Sequence, residues 1–192
     1  MSVAAHRSMS LAEFLSWEER QPLPYEFDGF RAIGMNGGTG GHSGILRNLA
    51  ISIGGRLRGQ PCQFHGSGLK IAVAGRIRYP DGFVACTPVG VRSTVVRDPV
   101  VIFEVLSEST ATTDYGAKNE EYAATPSVRR YVILSQNKVS GTMFERLEGD
   151  WIGRLLSADS VLHMPEIGIE LPLAELYIDV AMISDDAAAD EP

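Results

Sequence analysis

The chain lacks the features of a membrane or secreted protein. No apolar run in its 192 residues approaches the roughly 20 residues that a membrane-spanning helix needs. The N-terminal residues contain no apolar segment typical of a signal peptide. Cysteine is scarce, since only Cys62 and Cys86 are present and they form no C-x-x-C motif. Because both lie in apolar, strand-like segments, we predict buried thiols in a reducing compartment and therefore a cytoplasmic protein.

A strong compositional bias is also missing. With 44% hydrophobic residues, the chain is neither polar enough for a disordered protein nor apolar enough for a membrane protein. Its length suits one domain with a buried core. We predict a single domain over residues 1–180 and an acidic tail over residues 181–192, which is expected to be disordered.

Charge is unevenly distributed along the chain. The formal net charge of −7 at first disfavours a nucleic-acid partner. Residues 47–97, however, contain eight basic residues and one acidic residue, Asp81. A basic segment in an acidic chain permits a phosphate-bearing partner, and ordinary surface arginines are the alternative.

Local patterns in the first third of the chain predict two helices and a hairpin. Ser10 and Glu13 have the spacing of a capping box, which predicts a helix over residues 11–19. Asp28 and Gly29 predict the turn of a hairpin over residues 25–33. The glycine-rich residues 34–41 lack the phosphate-loop pattern, so we interpret them as a loop that leads into an amphipathic helix over residues 42–57.

The remaining segments are mostly predicted to be strands. Short strands are expected over residues 62–65, 69–74, 79–86 and 130–135, and the apolar residues 100–106 are expected to form a central strand covered on both faces. A helix is expected over residues 115–124. An antiparallel set follows over residues 139–146, 151–155 and 161–163, before a short helix or turn over residues 171–176. This order predicts a mixed α/β domain.

Two carboxylates stand at unusual places in this pattern. Glu104 interrupts the apolar central strand, where a carboxylate needs a partner, either a buried arginine or a metal ion. Asp81 follows Pro80 at the start of another predicted strand. Two adjacent strands can bring two carboxylates to one edge of a sheet, and Mg²⁺ prefers oxygen ligands. Asp81 and Glu104 are therefore candidate metal ligands.

Lys118 lies in the helix predicted after Glu104, with Tyr122 one turn further on the same face. Beside two metal-bound carboxylates, its ammonium is suited to orient an attacking water or to stabilise developing negative charge. A solvated lysine next to Glu121 is the alternative interpretation.

In this order, Pro80-Asp81, a glutamate in an apolar strand and a following lysine resemble the PD-(D/E)xK nuclease superfamily. The chain is more closely similar to the Uma2 family of endonucleases, also named DUF820, over about residues 11–176. The matching positions are residues 25–29, 78–81, 99–107, 109–110, 114–118, 126–127 and 131–132, together with His42 and Tyr122.

The resemblance implies a restriction-endonuclease-like fold, in which helices flank a central mixed β-sheet and an additional antiparallel β segment lies toward the C-terminus. It also implies an endonuclease that uses Mg²⁺ or Mn²⁺ to hydrolyse nucleic acid, with DNA favoured. By the same resemblance, Asp81 and Glu104 hold the metal and Lys118 acts with them. Glu26 is a further acidic member of the site, and His42 lies nearby.

Departures from the family pattern leave other functions open. Where the superfamily usually has a lysine, two residues after the glutamate, this chain has Leu106. One alternative is a catalytically weak or inactive nuclease fold that acts as a dimeric nucleic-acid-binding or regulatory module. Another is a metal hydrolase of small phosphorylated molecules. For a homodimer, the strands from residue 139 onward offer an edge that a second copy could pair with.

Overall fold

The computed structural model describes residues 8–35, 38–106 and 111–182. The helices are α1 (Leu11–Glu18), α2 (Gly40–Leu49), α3 (Ala111–Thr113) and α4 (Asn119–Ala123). A π-helical turn, Ala50–Gly54, extends α2, and a second one, Asp114–Lys118, joins α3 to α4. The strands are β1 (Tyr25–Phe27), β2 (Ala32–Gly34), β3 (Gln63–Gly66), β4 (Lys70–Val73), β5 (Arg76–Arg78), β6 (Gly82–Ala85), β7 (Val95–Val96), β8 (Pro99–Leu106), β9 (Arg130–Ser135), β10 (Gly141–Leu147), β11 (Asp150–Leu156), β12 (Val161–Met164) and β13 (Ile169–Pro172). Short 3₁₀ turns span Pro165–Ile167 and Leu173–Tyr177.

A six-stranded mixed sheet forms the centre of the molecule, in the order β11-β10-β9-β8-β6-β3. Its β8 and β9 run parallel, and the other neighbouring pairs are antiparallel. A second sheet has the order β2-β1-β5-β4-β7, and β12 pairs with β13 in a small antiparallel sheet near the C-terminus. The prediction of a mixed α/β fold is confirmed.

Strand β8 is covered on both faces, as its apolar sequence predicts. Val101, Phe103 and Val105 belong to a core that α2 and the residues directly after it cover with Ile45, Leu49, Ile53 and Leu57. On the opposite face, Ile102 packs in a second core with residues of β4 and with Tyr122 of α4. Because side chains alternate along a strand, Glu104 lies on the same face as Ile102 and points toward α4.

Local signals located several elements accurately. Ser10 and Glu13 form the predicted capping box at the start of α1, and β9 has the predicted bounds. Helix α2 begins two residues earlier than expected, because Thr39 caps it and accepts a hydrogen bond from the His42 backbone N–H. The predicted strand over residues 79–86 was wrong at its start. There the chain bends after β5 and enters β6 only at Gly82.

The prediction of two free thiols was wrong, because Cys62 and Cys86 form a disulfide. The reason is the register of two strands that are distant in sequence. In the antiparallel pair β3–β6, Gln63 lies opposite Ala85, so the residues just outside this pair face each other. Their Cα atoms are 3.8 Å apart.

Two of the sequence expectations extend beyond the described residues. Of the predicted acidic tail, residues 183–192 lie outside the part of the chain that the structure describes. The same holds for residues 107–110, which contribute to the family resemblance. Within the described part, no helix has the length and apolar character needed to cross a membrane.

Candidate active site

Asp81 lies at the bend immediately before β6, next to the middle of the central sheet. Gly82 is opposite Phe103 in the antiparallel β6–β8 pair, so this register brings the preceding residue, Asp81, alongside Glu104 and Val105. The Val105 backbone N–H donates a hydrogen bond of 2.7 Å to Asp81 Oδ2. One carboxylate oxygen of Asp81 is thereby fixed against β8.

Glu104 is a buried carboxylate in β8, with 5% of its surface exposed. Its Oε1 accepts hydrogen bonds from Lys118 Nζ at 2.8 Å and from the Tyr122 hydroxyl at 3.3 Å. Burial raises the pKa of Glu104 to about 8, and the nearby carboxylates Asp81, Asp114 and Glu26 add to that rise, while Lys118 opposes it. The cation beside this carboxylate is thus a lysine and not the buried arginine considered as one alternative.

Lys118 is buried by the fold, with only 6% exposed, so the alternative of a solvated lysine was wrong. Its Nζ lies 2.8 Å from Glu104 Oε1, 3.0 Å from Asp114 Oδ1 and 3.9 Å from Glu26 Oε1. Although burial lowers the pKa of Lys118, these three carboxylates raise it well above its ordinary value. The side chain therefore remains an ammonium throughout the physiological pH range.

Glu26 connects the site to a second buried cation. Its Oε1 accepts a hydrogen bond of 3.0 Å from the Tyr79 backbone N–H, and its Oε2 accepts one of 3.2 Å from Arg78 Nη1. The Arg78 guanidinium also donates two hydrogen bonds, of 2.6 and 2.7 Å, to the carboxylate of Glu121 in α4. Glu26 thus holds the chain segment that leads to Asp81.

His42 lies in the first turn of α2, with its Nε2 3.1 Å from Asp81 Oδ2. The hydrogen bond with Asp81 raises the pKa of His42, against the opposing effect of burial. The imidazole therefore contacts the carboxylate oxygen that also accepts the Val105 N–H, and it helps to orient Asp81.

The structure brings all five sequence-predicted residues together in one cluster: Asp81, Glu104, Lys118, Glu26 and His42. Three further members were not assigned a role from the sequence: Asp114, Arg78 and Glu121. The i,i+4 spacing of Asp114, just before the predicted helix, and Lys118 was the one available signal for such an ion pair. Nothing local marks Arg78, because both of its partners are distant in sequence.

Part of the basic stretch of residues 47–97 is buried or paired with carboxylates. Arg78 and Lys70 are buried, with 1% and 4% exposed. Lys70 Nζ lies 2.6 Å from Glu18 Oε2, and Arg56 pairs with Glu175 at 2.7 Å. Arg78 and Lys70 are therefore not available to the phosphate-bearing partner that the basic segment permits, because carboxylates inside the protein neutralise their charges.

The donor set suits a hard divalent cation held by few protein ligands. Among residues 8–35, 38–106 and 111–182, no group of three or more His, Cys, Asp or Glu side chains is arranged to hold a metal ion. Asp81 and Glu104 supply two carboxylates, which is the number that commonly binds Mg²⁺ when water and substrate phosphates complete its shell. The raised pKa of Glu104 reflects in part repulsion between neighbouring carboxylates, which a cation would relieve. The residues present therefore fit Mg²⁺ or Mn²⁺.

Comparisons with known proteins identify the family of the chain. The family model Uma2, described as "Putative restriction endonuclease", matches residues 11–174. The "Uncharacterized protein slr1290" of Synechocystis sp. is 32% identical over 177 residues, which cover 90% of this chain and 93% of that protein. The match to the family model covers most of the chain.

The fold is also that of a solved protein. The crystal structure of "a putative nuclease belonging to DUF820" from Anabaena variabilis superimposes with a TM-score of 0.69 over 88% of this chain and 98% of that one, at 14% identity. At that identity the similarity concerns the fold alone, and it confirms the predicted nuclease-type mixed α/β core. By the extent of the family match, this chain belongs to the Uma2 family.

Proposed function

We propose that this chain is a divalent-metal-dependent endonuclease that hydrolyses phosphodiester bonds of nucleic acid, with DNA as the first substrate to test. One observation carries the proposal. Asp81, at the bend before β6, lies close enough to Glu104 of β8 to raise the pKa of that carboxyl, and the buried Lys118 Nζ lies 2.8 Å from Glu104 Oε1. The description of the family as restriction endonucleases supports the same reaction.

Asp81 and Glu104 are the residues that would hold Mg²⁺ or Mn²⁺. When bound, such an ion supplies Lewis-acid polarisation of a phosphate oxygen and a more acidic water. Lys118 contributes a fixed positive charge in a buried site, where it stabilises charge that develops on the phosphate better than a solvated lysine does. His42 and the Val105 N–H keep Asp81 oriented through its Oδ2.

Cleavage of labelled DNA and RNA in Mn²⁺ by wild type and Glu104→Gln tests the proposal. We expect products with wild type and none with the variant, because the amide lacks the charge that holds the cation. Glu145→Gln is the matched control, since Glu145 is also a buried strand carboxylate, with 6% exposed, but it pairs with Arg130 and Arg154 outside the site. Cleavage retained in folded Glu104→Gln would contradict the assignment of Glu104.

A second candidate function is a nucleic-acid-binding or regulatory module without turnover. The observation that favours it is the saturation of Lys118 by Glu104, Asp114 and Glu26, since a closed ion cluster is stable without a metal. Fluorescence anisotropy of labelled DNA in Mn²⁺ separates the two functions. Salt-sensitive binding without any product supports the module, whereas product formation supports the enzyme. Cleavage of a chromogenic phosphate ester alone would support a small-molecule hydrolase instead.

We also propose a homodimer in which β11 of one copy pairs with β11 of the other. β11 is a terminal strand of the central sheet, and Leu155 and Ile152 on it are 88% and 40% exposed. Antiparallel pairing centred on Ile152 would set Asp150 of each copy opposite Arg154 of the other, giving two opposite-charge pairs. Light scattering should show a dimer that Ile152→Lys dissociates and that Ile51→Lys, an exposed position in the extension of α2, leaves intact. A monomeric wild type would contradict this pairing.

A cytoplasmic location is proposed from the substrate class alone, because the disulfide removes the argument from reduced cysteines. Fractionation of cells, followed by immunoblotting of each fraction, tests the location independently of the disulfide. Recovery with the cytoplasmic fraction would support the proposal, and recovery outside the cytoplasm would contradict it.

A further inference from the structure

We propose that Arg78 is a positioning residue, whose guanidinium couples the segment that carries Asp81 to the helix that carries Lys118. This inference rests on the proposed function for its catalytic consequence. The coupling itself fixes the distance between two parts of the site and does not depend on that function. It concerns a residue that touches neither of the proposed metal ligands.

The contacts of Arg78 span three elements. It is the last residue of β5, three residues before Asp81. Its Nε and Nη2 donate to Glu121 in α4, which lies three residues after Lys118, and its Nη1 donates to Glu26 in β1. A bidentate arginine–carboxylate pair fixes relative orientation as well as distance. Through Arg78, the end of β5 therefore has a defined position relative to α4.

Glu26 connects the Arg78 contacts to Lys118. The same carboxylate accepts from Arg78 and from the Tyr79 N–H, two residues before Asp81. Its Oε1 lies 3.9 Å from Lys118 Nζ, which is within ion-pair distance. One buried carboxylate is thus shared between the segment leading to Asp81 and the lysine. Lys118 directly precedes α4, so movement of α4 would disturb the Arg78–Glu121 and Glu26–Lys118 contacts together.

The Lys70–Glu18 pair is a second buried ion pair, and it shows which effects of losing the Arg78 contacts are not ordinary loss of stability. Lys70 in β4 is buried almost as deeply as Arg78, with 4% exposed against 1%. Its carboxylate partner Glu18 belongs to α1, and it shares that partner with the Tyr79 hydroxyl at 2.7 Å. Loss of either pair leaves a buried charge uncompensated. Of these two buried pairs, only that of Arg78 includes α4, where the half-exposed Arg76 also lies 3.7 Å from Glu121, so only loss of the Arg78 pair is expected to move Lys118.

The experiment compares Glu121→Gln and Arg78→Lys with the matched control Glu18→Gln. Glu121→Gln removes one arm of the coupling without removing a buried cation, and Arg78→Lys keeps the charge but loses the bidentate geometry. Glu18→Gln makes the same chemical change at the Lys70 pair. Circular dichroism establishes that each variant is folded, and Glu121→Gln carries the test if Arg78→Lys does not fold.

The first readout is the rate at which an acetylating reagent modifies each lysine, followed by mass spectrometry. The sequence contains three lysines, Lys70, Lys118 and Lys138, and the exposed Lys138 serves as the internal reference. Relative to Lys138, we expect Lys118 to react about tenfold faster in Glu121→Gln and Arg78→Lys, because the site opens more often. In Glu18→Gln the rate at Lys70 should rise, while that at Lys118 stays as in wild type.

The second readout is function. Mn²⁺ affinity by calorimetry should change less than about twofold, because Asp81 and Glu104 keep their strand contacts, whereas kcat for DNA cleavage should fall by about 10- to 100-fold at constant KM. An unchanged Lys118 rate in both Arg78→Lys and Glu121→Gln, or in Glu121→Gln alone if only that variant folds, would overturn the proposal. Absence of cleavage by wild type would overturn the proposed function instead, and the acetylation rates would still decide the role of Arg78.

Discussion

Loss of the Cys62–Cys86 disulfide should lower the stability of the protein without affecting its metal site. The bridge joins residues separated by 24 positions in sequence. For a loop of that length, the chain-entropy model assigns about 3.4 kcal/mol to the cross-link, through restriction of the unfolded chain. With an unfolding entropy of about 2.1 cal/mol/K per residue, a chain of 192 residues should then melt roughly 9 °C lower when the bridge is reduced.

Calorimetric melting of wild type with and without reductant, beside Cys62→Ser/Cys86→Ser, measures this effect. The reduced protein and the double variant should melt at the same lower temperature, and denatured wild type should show two thiols only after reduction. Cys86 follows the last residue of β6 and Asp81 precedes the first, so Mn²⁺ affinity should be equal in both forms. Two reactive thiols in denatured, unreduced protein, or equal melting temperatures, would refute the reasoning.

Three further predictions concern His65, the Lys70–Glu18 pair and the metal site. Burial lowers the pKa of His65, whose ring stacks on Phe83; the folded state favours the neutral imidazole, so stability should fall as pH drops below about 6.5, and urea unfolding of His65→Phe should lack that component. Lys70→Met should lower the free energy of unfolding measured in urea by about 3–5 kcal/mol, because Glu18 loses its cation. Adding Glu18→Leu should recover most of this stability, and equal losses in the single and the double variant would contradict the prediction. Mn²⁺ at 100 times its Kd should stabilise wild type by about 2.7 kcal/mol in thermal melts and should not change the stability of Glu104→Gln. Equal stabilisation of both proteins would show that the ion binds at another site.

The elements that sequence predicted well are those whose cause is local. Helix α1 follows from the reciprocal hydrogen bonds of Ser10 and Glu13, three residues apart. Strand β9 follows from a short apolar run that fills the sheet beside β8. In both cases the residues that determine the structure lie inside the element or next to it.

The elements that were missed depend on distant partners. Strand β5 has the sequence Arg-Ile-Arg, which on its own resembles a solvated turn. It forms a buried strand because Glu26 and Glu121 neutralise Arg78. Strand β13 is four residues long and pairs only with β12, so its pattern is too short to distinguish from a turn. The disulfide follows from the β3–β6 register, which no local pattern specifies.

The candidate site divides in the same way. Asp81 and Glu104 could be predicted because a carboxylate that borders or interrupts an apolar strand is conspicuous, and the strand pairing Gly82–Phe103 then aligns them. Asp114 was not given a role, although it is 1% exposed and lies beside Lys118. Its burial comes from the packing of the π-helical turn against β9, where the Tyr131 hydroxyl donates to the Asp114 carbonyl oxygen.

The position of the lysine explains why this site contains so many carboxylates. A lysine two residues after Glu104 would share its sheet face by strand alternation alone, but that position holds Leu106. Lys118 instead reaches the site from a helix, so strand register does not fix it, and its long side chain must be held by ion pairs. Asp114 supplies one from its own helical turn and Glu26 another from β1. These carboxylates also raise the pKa of Glu104, and a cation bound beside them would relieve the repulsion that causes this rise.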